Sequence, residues 1–239
     1  MRALSDSDFL ALWESGLRRH PLDRALLALS AAFPETPCDR LADWPLGRRN
    51  RALVELHFQN FGHSLQGWLA CARCAEKLEF ALDGRVITGD GQVNDEMRRS
   101  DQPIVVDGRT FRLPTSRDLA AAAAETDPRR AVIRIVENCR IGQEDTPAWS
   151  DEELEKIGEA MASADPLAET LLDLHCSSCG REWQETLDLI SFLWPEIEAR
   201  ARRLLLEVHA LASAYGWTEN EILSLSENRR AHYVGMVQS

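Results

Sequence analysis

Four thiols stand in two identical spacings, Cys71-Ala72-Arg73-Cys74 and Cys176-Ser177-Ser178-Cys179. A CxxC turn presents two thiolates from one tight loop. Two such turns fill the tetrahedral shell of one zinc ion. Cys71, Cys74, Cys176 and Cys179 are therefore the expected ligands of a structural Zn2+. Four cysteine ligands leave no open position for water, which argues against a catalytic zinc. Two other readings compete: a metal-free pair of packed cysteines, and a redox dithiol. A thioredoxin-like dithiol opens a helix that lowers its thiol pKa. Each pair here is followed instead by strand-like alternation. His175 adjoins Cys176 and is an alternative ligand, although a surface or supporting role suits it better.

The cysteines belong to a short unit used twice. The first copy reads CARCAEKLEFALD and the second CSSCGREWQETLD. Aligned on the cysteines, Leu78 falls on Trp183, Leu82 on Leu187 and Asp83 on Asp188. Gly180 gives the second turn backbone freedom, and Ala75 occupies that place in the first. The 101 residues between Cys74 and Cys176 are a long insertion for a zinc ribbon. Loop-closure entropy grows only slowly with length, so the insertion is tolerable. Metal binding would fasten two distant segments, and its free energy would count toward folding.

The chain of 239 residues has a formal charge of −12, with 39 acidic against 27 basic residues. That balance opposes non-specific attachment to a phosphate backbone, so nucleic acid is not an expected partner. No apolar run has the length of a membrane span, and the N-terminus lacks an apolar signal core. Cys38 and Cys139 stand alone in apolar-leaning contexts and read as core cysteines of a reduced, cytoplasmic protein. No phosphate-cradling glycine loop, HExxH or GxSxG is present. His57 and His63 flank an apolar stretch and read as structural. The expectation is a non-enzymatic protein.

The elements that must position the cysteines follow from periodicity. Helices are expected over 4–17, 22–33 and 46–60, with a loop from Pro34 to Pro45. Arg48, Arg49 and Arg51 crowd the start of the third helix, against the usual charge preference there. They read as a solvated face or as a partner contact. Residues 78–82 alternate as a half-buried strand does, and Gly84, Gly89 and Gly91 punctuate a loop. Residues 103–113 read as a hairpin turning at Asp107-Gly108. Thr115 or Ser116 caps an alanine-rich helix over 117–125. The run 131–136 fits a strand or a helix. Thr146-Pro147 and Trp149-Ser150 read as a loop, and Ser150 with Glu153 boxes a helix over 151–164. The clearest helix carries Leu193, Ile197, Ala201, Leu204, Val208, Leu211 and Tyr215 at spacings of three and four, and Gly216 ends it. Thr218 with Glu221 and then Ser226 start two short helices. The fold class is α+β, mainly helical, with a small zinc-ribbon-like β module. A single domain over 1–239 is expected. Its parts are a helical region 1–68, a first knuckle and strand 69–83, a mixed insertion 84–170, a second knuckle 174–188, and C-terminal helices 189–237.

Several stretches resemble a family related to phage T4-type baseplate proteins, encoded in bacterial gene clusters for contractile phage-tail-like injection systems. The N-terminal string LWESGLRRHPLDRALLALSAA resembles that family's opening, and Leu46-Gly47-Arg48-Arg49-Asn50 resembles its PLGRR segment. The two CxxC units match its cysteine knuckles. LLLEVHALASAYGWTENEILSLSENRR resembles its C-terminal signature. The middle, 84–170, carries least of the likeness. The resemblance implies a structural or assembly role in a baseplate, with baseplate or tail proteins as partners. The chain would be cytoplasmic and incorporated into a phage-tail-like particle, or would leave as an assembly chaperone. Candidate contacts are Arg48, Arg49 and Arg51, and the end segment Tyr215, Trp217, Arg229 and Arg230, because desolvated Trp and Arg make effective hot spots. Trp217 packed against Leu211 and Ile222 is the plainer reading of that residue. The competing function is a zinc-ribbon adaptor for nucleic acid or a regulatory complex. The absence of a basic, aromatic-interleaved stripe weighs against it.

Overall fold

The computed structural model describes residues 1–88, 102–142 and 148–238. Gly89, Gly91 and Thr146-Pro147 lie outside the described residues. The chain opens with α1 (Asp6–Gly16) and α2 (Pro21–Ala32). Ser5 caps α1 in a reciprocal box with Asp8, so the helix starts two residues later than the apolar pattern suggests. A short helix, α3 (Cys38–Ala42), interrupts the expected Pro34–Pro45 loop, started by Pro37 and buried through Leu41 and Ala42. It leaves Cys38 exposed, so Cys38 is not a core cysteine, whereas Cys139 is buried.

Helix α4 (Leu46–Phe61) leads into the antiparallel hairpin β1 (Ser64–Ala70) and β2 (Lys77–Asp83), followed by α5 (Gly84–Thr88). The insertion then forms β3 (Ile104–Val106) and β4 (Arg109–Phe111), joined by Asp107 and Gly108 at positive φ, as the tight turn requires. Helices α6 (Ser116–Ala122) and α7 (Pro128–Cys139) follow. The ambiguous run 131–136 is thus helical, because Pro128 stands at its first turn and Asp127 caps it. β5 (Arg140–Ile141) completes a three-stranded antiparallel sheet, and α8 (Asp151–Ala164) starts from the Ser150–Glu153 box. A second hairpin, β6 (Leu171–His175) and β7 (Glu182–Thr186), runs into the long helix α9 (Leu189–Tyr215). Gly216, in the left-handed region, ends α9; α10 (Glu219–Leu223) and α11 (Glu227–Gln238) close the chain.

Two cores result. The larger gathers Phe9 and Leu12 of α1, Leu29 of α2, Leu53 and Leu56 of α4 and Leu193, Trp194, Ile197 and Leu204 of α9. The smaller lies inside the insertion: Phe111, Val136, Cys139, Trp149, Leu154, Ile157 and Met161. They meet at the start of α4. The Leu46 N–H donates to the Pro114 carbonyl at 3.0 Å. The Gly47 N–H donates to Asp165 Oδ2 at 2.8 Å, and Asn50 Nδ2 donates to the Leu167 carbonyl at 2.8 Å. Pro45 has no side-chain acceptor for this helix start, so a carboxylate 118 residues away supplies it.

That joint corrects the reading of the arginines. Arg51 is buried, with 8% of its surface exposed. Arg49 is half-buried and donates to Asn50 Oδ1 at 2.8 Å. Arg48 lies over the Trp44 ring, 4.2 Å from its centroid. They do not form one open contact surface, since helical spacing turns Arg51 inward while Arg48 stacks outside.

Candidate metal centre

Each CxxC sits at the tip of a hairpin, and the two tips are built alike. In the first, the Cys71 N–H donates to the Glu76 carbonyl at 2.9 Å and the Ala75 N–H to the Cys71 carbonyl at 2.8 Å. In the second, the Cys176 N–H donates to the Arg181 carbonyl at 2.8 Å and the Gly180 N–H to the Cys176 carbonyl at 2.8 Å. Ala75 has φ 59° and Gly180 φ 69°, so both turns pass through the left-handed region at the same place. The alternation extends the likeness. Leu69 and Leu78 in one hairpin, and Leu174 and Trp183 in the other, occupy equivalent half-buried positions. Ser64–Ala70, whose burial alternates along the strand, pairs with β2 as the first half of the hairpin.

The sulfurs converge. Cys71 Sγ lies 3.6 Å from Cys179 Sγ, and Cys74 Sγ lies 3.6 Å from Cys176 Sγ. All four sulfurs fall within 4.8 Å of one another. A tetrahedral thiolate site with metal–sulfur bonds of about 2.3 Å requires sulfur separations of about 3.8 Å. The residues therefore fit a metal ion. In each pair the first cysteine, Cys71 or Cys176, is buried and the second is more open. His175 is exposed on β6, opposite Glu182, and does not belong to the cluster.

Electrostatics point the same way. The Arg73 backbone N–H, followed by that of Cys74, draws the Cys71 thiol down to about 6. The Glu76 N–H acts downward on Cys74, but desolvation and the Cys176, Cys179 and Cys71 sulfurs outweigh it and push that thiol up to about 12. Four sulfurs this close cannot all ionise on their own, and a bound cation removes the obstacle. Arg73, Lys77 and Arg181 are close in sequence to the ligands. Lys77 Nζ lies 5.2 Å from the Trp68 ring centroid and the Arg181 guanidinium 5.7 Å from that of Trp183.

The hairpins are anchored to the larger core at their bases. Leu65 and Leu187 are buried there, and Leu82 and Leu172 pack against it. Phe192, at the start of α9, presses on the first hairpin, its ring 5.6 Å from that of Phe80. A Cβ on Gly67 would lie 2.2 Å from the Phe192 ring, so glycine is what admits this contact. Sequence periodicity gave no sign of it, because the partners come from opposite ends of the insertion.

The other candidate residues are dispersed. Tyr215 and Trp217 stack with ring centroids 4.7 Å apart, and Tyr233 meets Trp217 edge-on at 5.0 Å. Arg229 is exposed. Arg230 is fully buried and is not a surface contact; it lies between Asp6 and Glu207. His57 is buried with Nδ1 3.0 Å from the Gly62 carbonyl, and His63 is exposed beside Phe58. Among the described residues no helix is long and apolar enough to cross a membrane. Comparison with known families, characterised proteins and solved structures finds no match to this chain.

Proposed function

We propose that this chain is a non-enzymatic structural or assembly protein of the baseplate of a contractile phage-tail-like injection system, pinned by a structural Zn2+. The observation that carries the structural half is the four-sulfur cluster, which joins the hairpin after α4 to the hairpin before α9. Four cysteines on a tetrahedral ion leave no position for a substrate or water. Zinc is favoured because sulfur-only tetrahedral sites suit it and it brings no redox chemistry. The injection-system half rests on the resemblance at both chain ends and at both knuckles. Arg51 and Arg230 drop out as contacts, which narrows the proposed partner surface to Tyr215, Trp217 and Arg229, with Arg48 and the half-buried Arg49 apart from them.

The test is mass spectrometry of complexes that copurify with the tagged protein from its own host, before and after isolation of sheathed particles. Recovery with baseplate or tail proteins supports the reading. Retention in mature particles marks a structural component, and loss on maturation marks an assembly factor. Absence of such partners in both samples, with salt-dependent nucleic-acid binding instead, replaces it with the adaptor reading. Elemental analysis of the same protein tests the metal. A single zinc per chain is expected, lost together with thermal stability in Cys74→Ser/Cys179→Ser. Unchanged zinc content in that variant removes the proposed site.

A further inference from the structure

Helix α11 is attached to the body in an unusual way. Its fully buried side chain is a charged one, Arg230. Tyr233 and Val234 are half-buried, while Ala231, Met236 and Val237 are exposed. A twelve-residue helix with so little apolar burial is marginal unless something else holds it. What holds it is a network of six charges from three elements. Arg230 Nε lies 2.5 Å from Glu207 Oε2 and its Nη2 lies 2.7 Å from Asp6 Oδ2. Glu227 Oε1 lies 2.6 Å from Arg200 Nη1 and 3.4 Å from Arg203 Nη2. Arg230 Nη1 also donates to the Leu225 carbonyl at 3.3 Å.

The balance of this network decides what happens if α11 leaves. α11 contributes one cation and one anion, Arg230 and Glu227. The body keeps Asp6 and Glu207 with Arg200 and Arg203. Those four already pair among themselves: Arg200 Nη2 with Asp6 Oδ1 at 2.8 Å, and Arg203 Nε with Glu207 Oε1 at 3.9 Å. Breaking a buried ion pair is severe when it strands a lone charge. Here departure strands none.

We infer that α11 is a charge-held strap that detaches from α1 and α9 as a unit while the body stays folded. Detachment withdraws Glu227 from the wall of a cavity of about 390 Å³ lined also by Asp6, Phe9, Phe61, Arg200 and Arg203. It also frees the Tyr215 and Trp217 rings from Tyr233. The inference rests on the ion network and holds whichever machine the protein serves.

The test is segment-resolved hydrogen exchange on the full-length protein as purified, at increasing urea and at low and high salt. Amides of 227–238 are expected to exchange at least roughly tenfold faster than those of 197–211, with little dependence on urea, and faster still at high salt. The charge-balanced variant Glu227→Gln/Arg230→Met removes the ionic hold without unbalancing the body. It should expose 227–238 to rapid exchange and leave 197–211 protected. Exchange of both segments through one common unfolding event in the wild type overturns the inference. So does wild-type protection of 227–238 in the variant.

Discussion

Asp165 and Gly47 show how one contact can settle a puzzle posed by charge. Arginines near a helix start are unfavourable by dipole alone, and the Asp165 carboxylate at the Gly47 N–H opposes them. A Cβ at position 47 would lie 1.7 Å from Asp165 Oδ1, so only glycine admits the carboxylate. Asp165 is 5% exposed. Burial raises its pKa above the ordinary 3.8, and the Gly47 N–H works against that rise. Because the folded value exceeds the unfolded one, the Asp165 contribution to stability is fullest below pH 3.8 and is lost as pH rises through the raised value. Asp165→Asn keeps an acceptor for Gly47 and abolishes this dependence. Its stability should therefore gain on the wild type as pH rises above 3.8, as read from urea unfolding at several pH values. A wild-type-minus-variant difference that is flat with pH would show that the carboxyl titrates normally. The arginine cluster was visible in the sequence as an anomaly; its answer was not, because nothing local points 118 residues ahead.

At the scale of the element, the two knuckles use one backbone path with different residues. The left-handed conformation is disfavoured by about 1–2 kcal/mol for a residue with a Cβ. Ala75 bears that strain at φ 59°, and Gly180 does not at φ 69°. Glycine in turn loses more freedom on folding, by roughly 0.5–1 kcal/mol. Ala75→Gly should stabilise the metal-loaded protein by about 0.5–1 kcal/mol, and Gly180→Ala should act in the opposite direction. Denaturant midpoints measured at fixed metal concentration check both. Destabilisation by Ala75→Gly would mean that the turn is not held in this conformation. The turn equivalence was readable from aligned CxxC spacing. The first strand of the first hairpin is less legible, because Trp68, Leu69 and Ala70 run together without apolar–polar alternation, and its alternating burial is set by pairing with β2.

The described residues form two cores, and the four-sulfur cluster joins two hairpins that stand on the larger one. Both knuckles belong to the larger core through Leu65 and Leu187, while the insertion packs around Trp149 and Phe111. Removing the metal should therefore loosen the larger body first. A site saturated a thousandfold above its Kd contributes about 4 kcal/mol to the state that binds it. Chelation should lower stability by about that amount and open the amides of 64–83 and 171–186. Helices α7 and α8 should keep their protection. Simultaneous loss of protection throughout would show one cooperative unit instead of two.

Local chemistry determined a good part of this protein from sequence alone. Caps such as Ser150–Glu153 and Thr218–Glu221, the Asp107-Gly108 turn, the α9 stripe and the form of each CxxC turn are written within a few residues or one helical repeat, where propensity and spacing act. Tertiary structure alone decided which polar residues go inside. Arg51, Arg230 and Asp165 look like surface residues in isolation, and each is buried by partners far along the chain or by the face its helix turns inward. Burial of a charge depends on compensation in space, and compensation between distant residues leaves no periodic mark in a sequence.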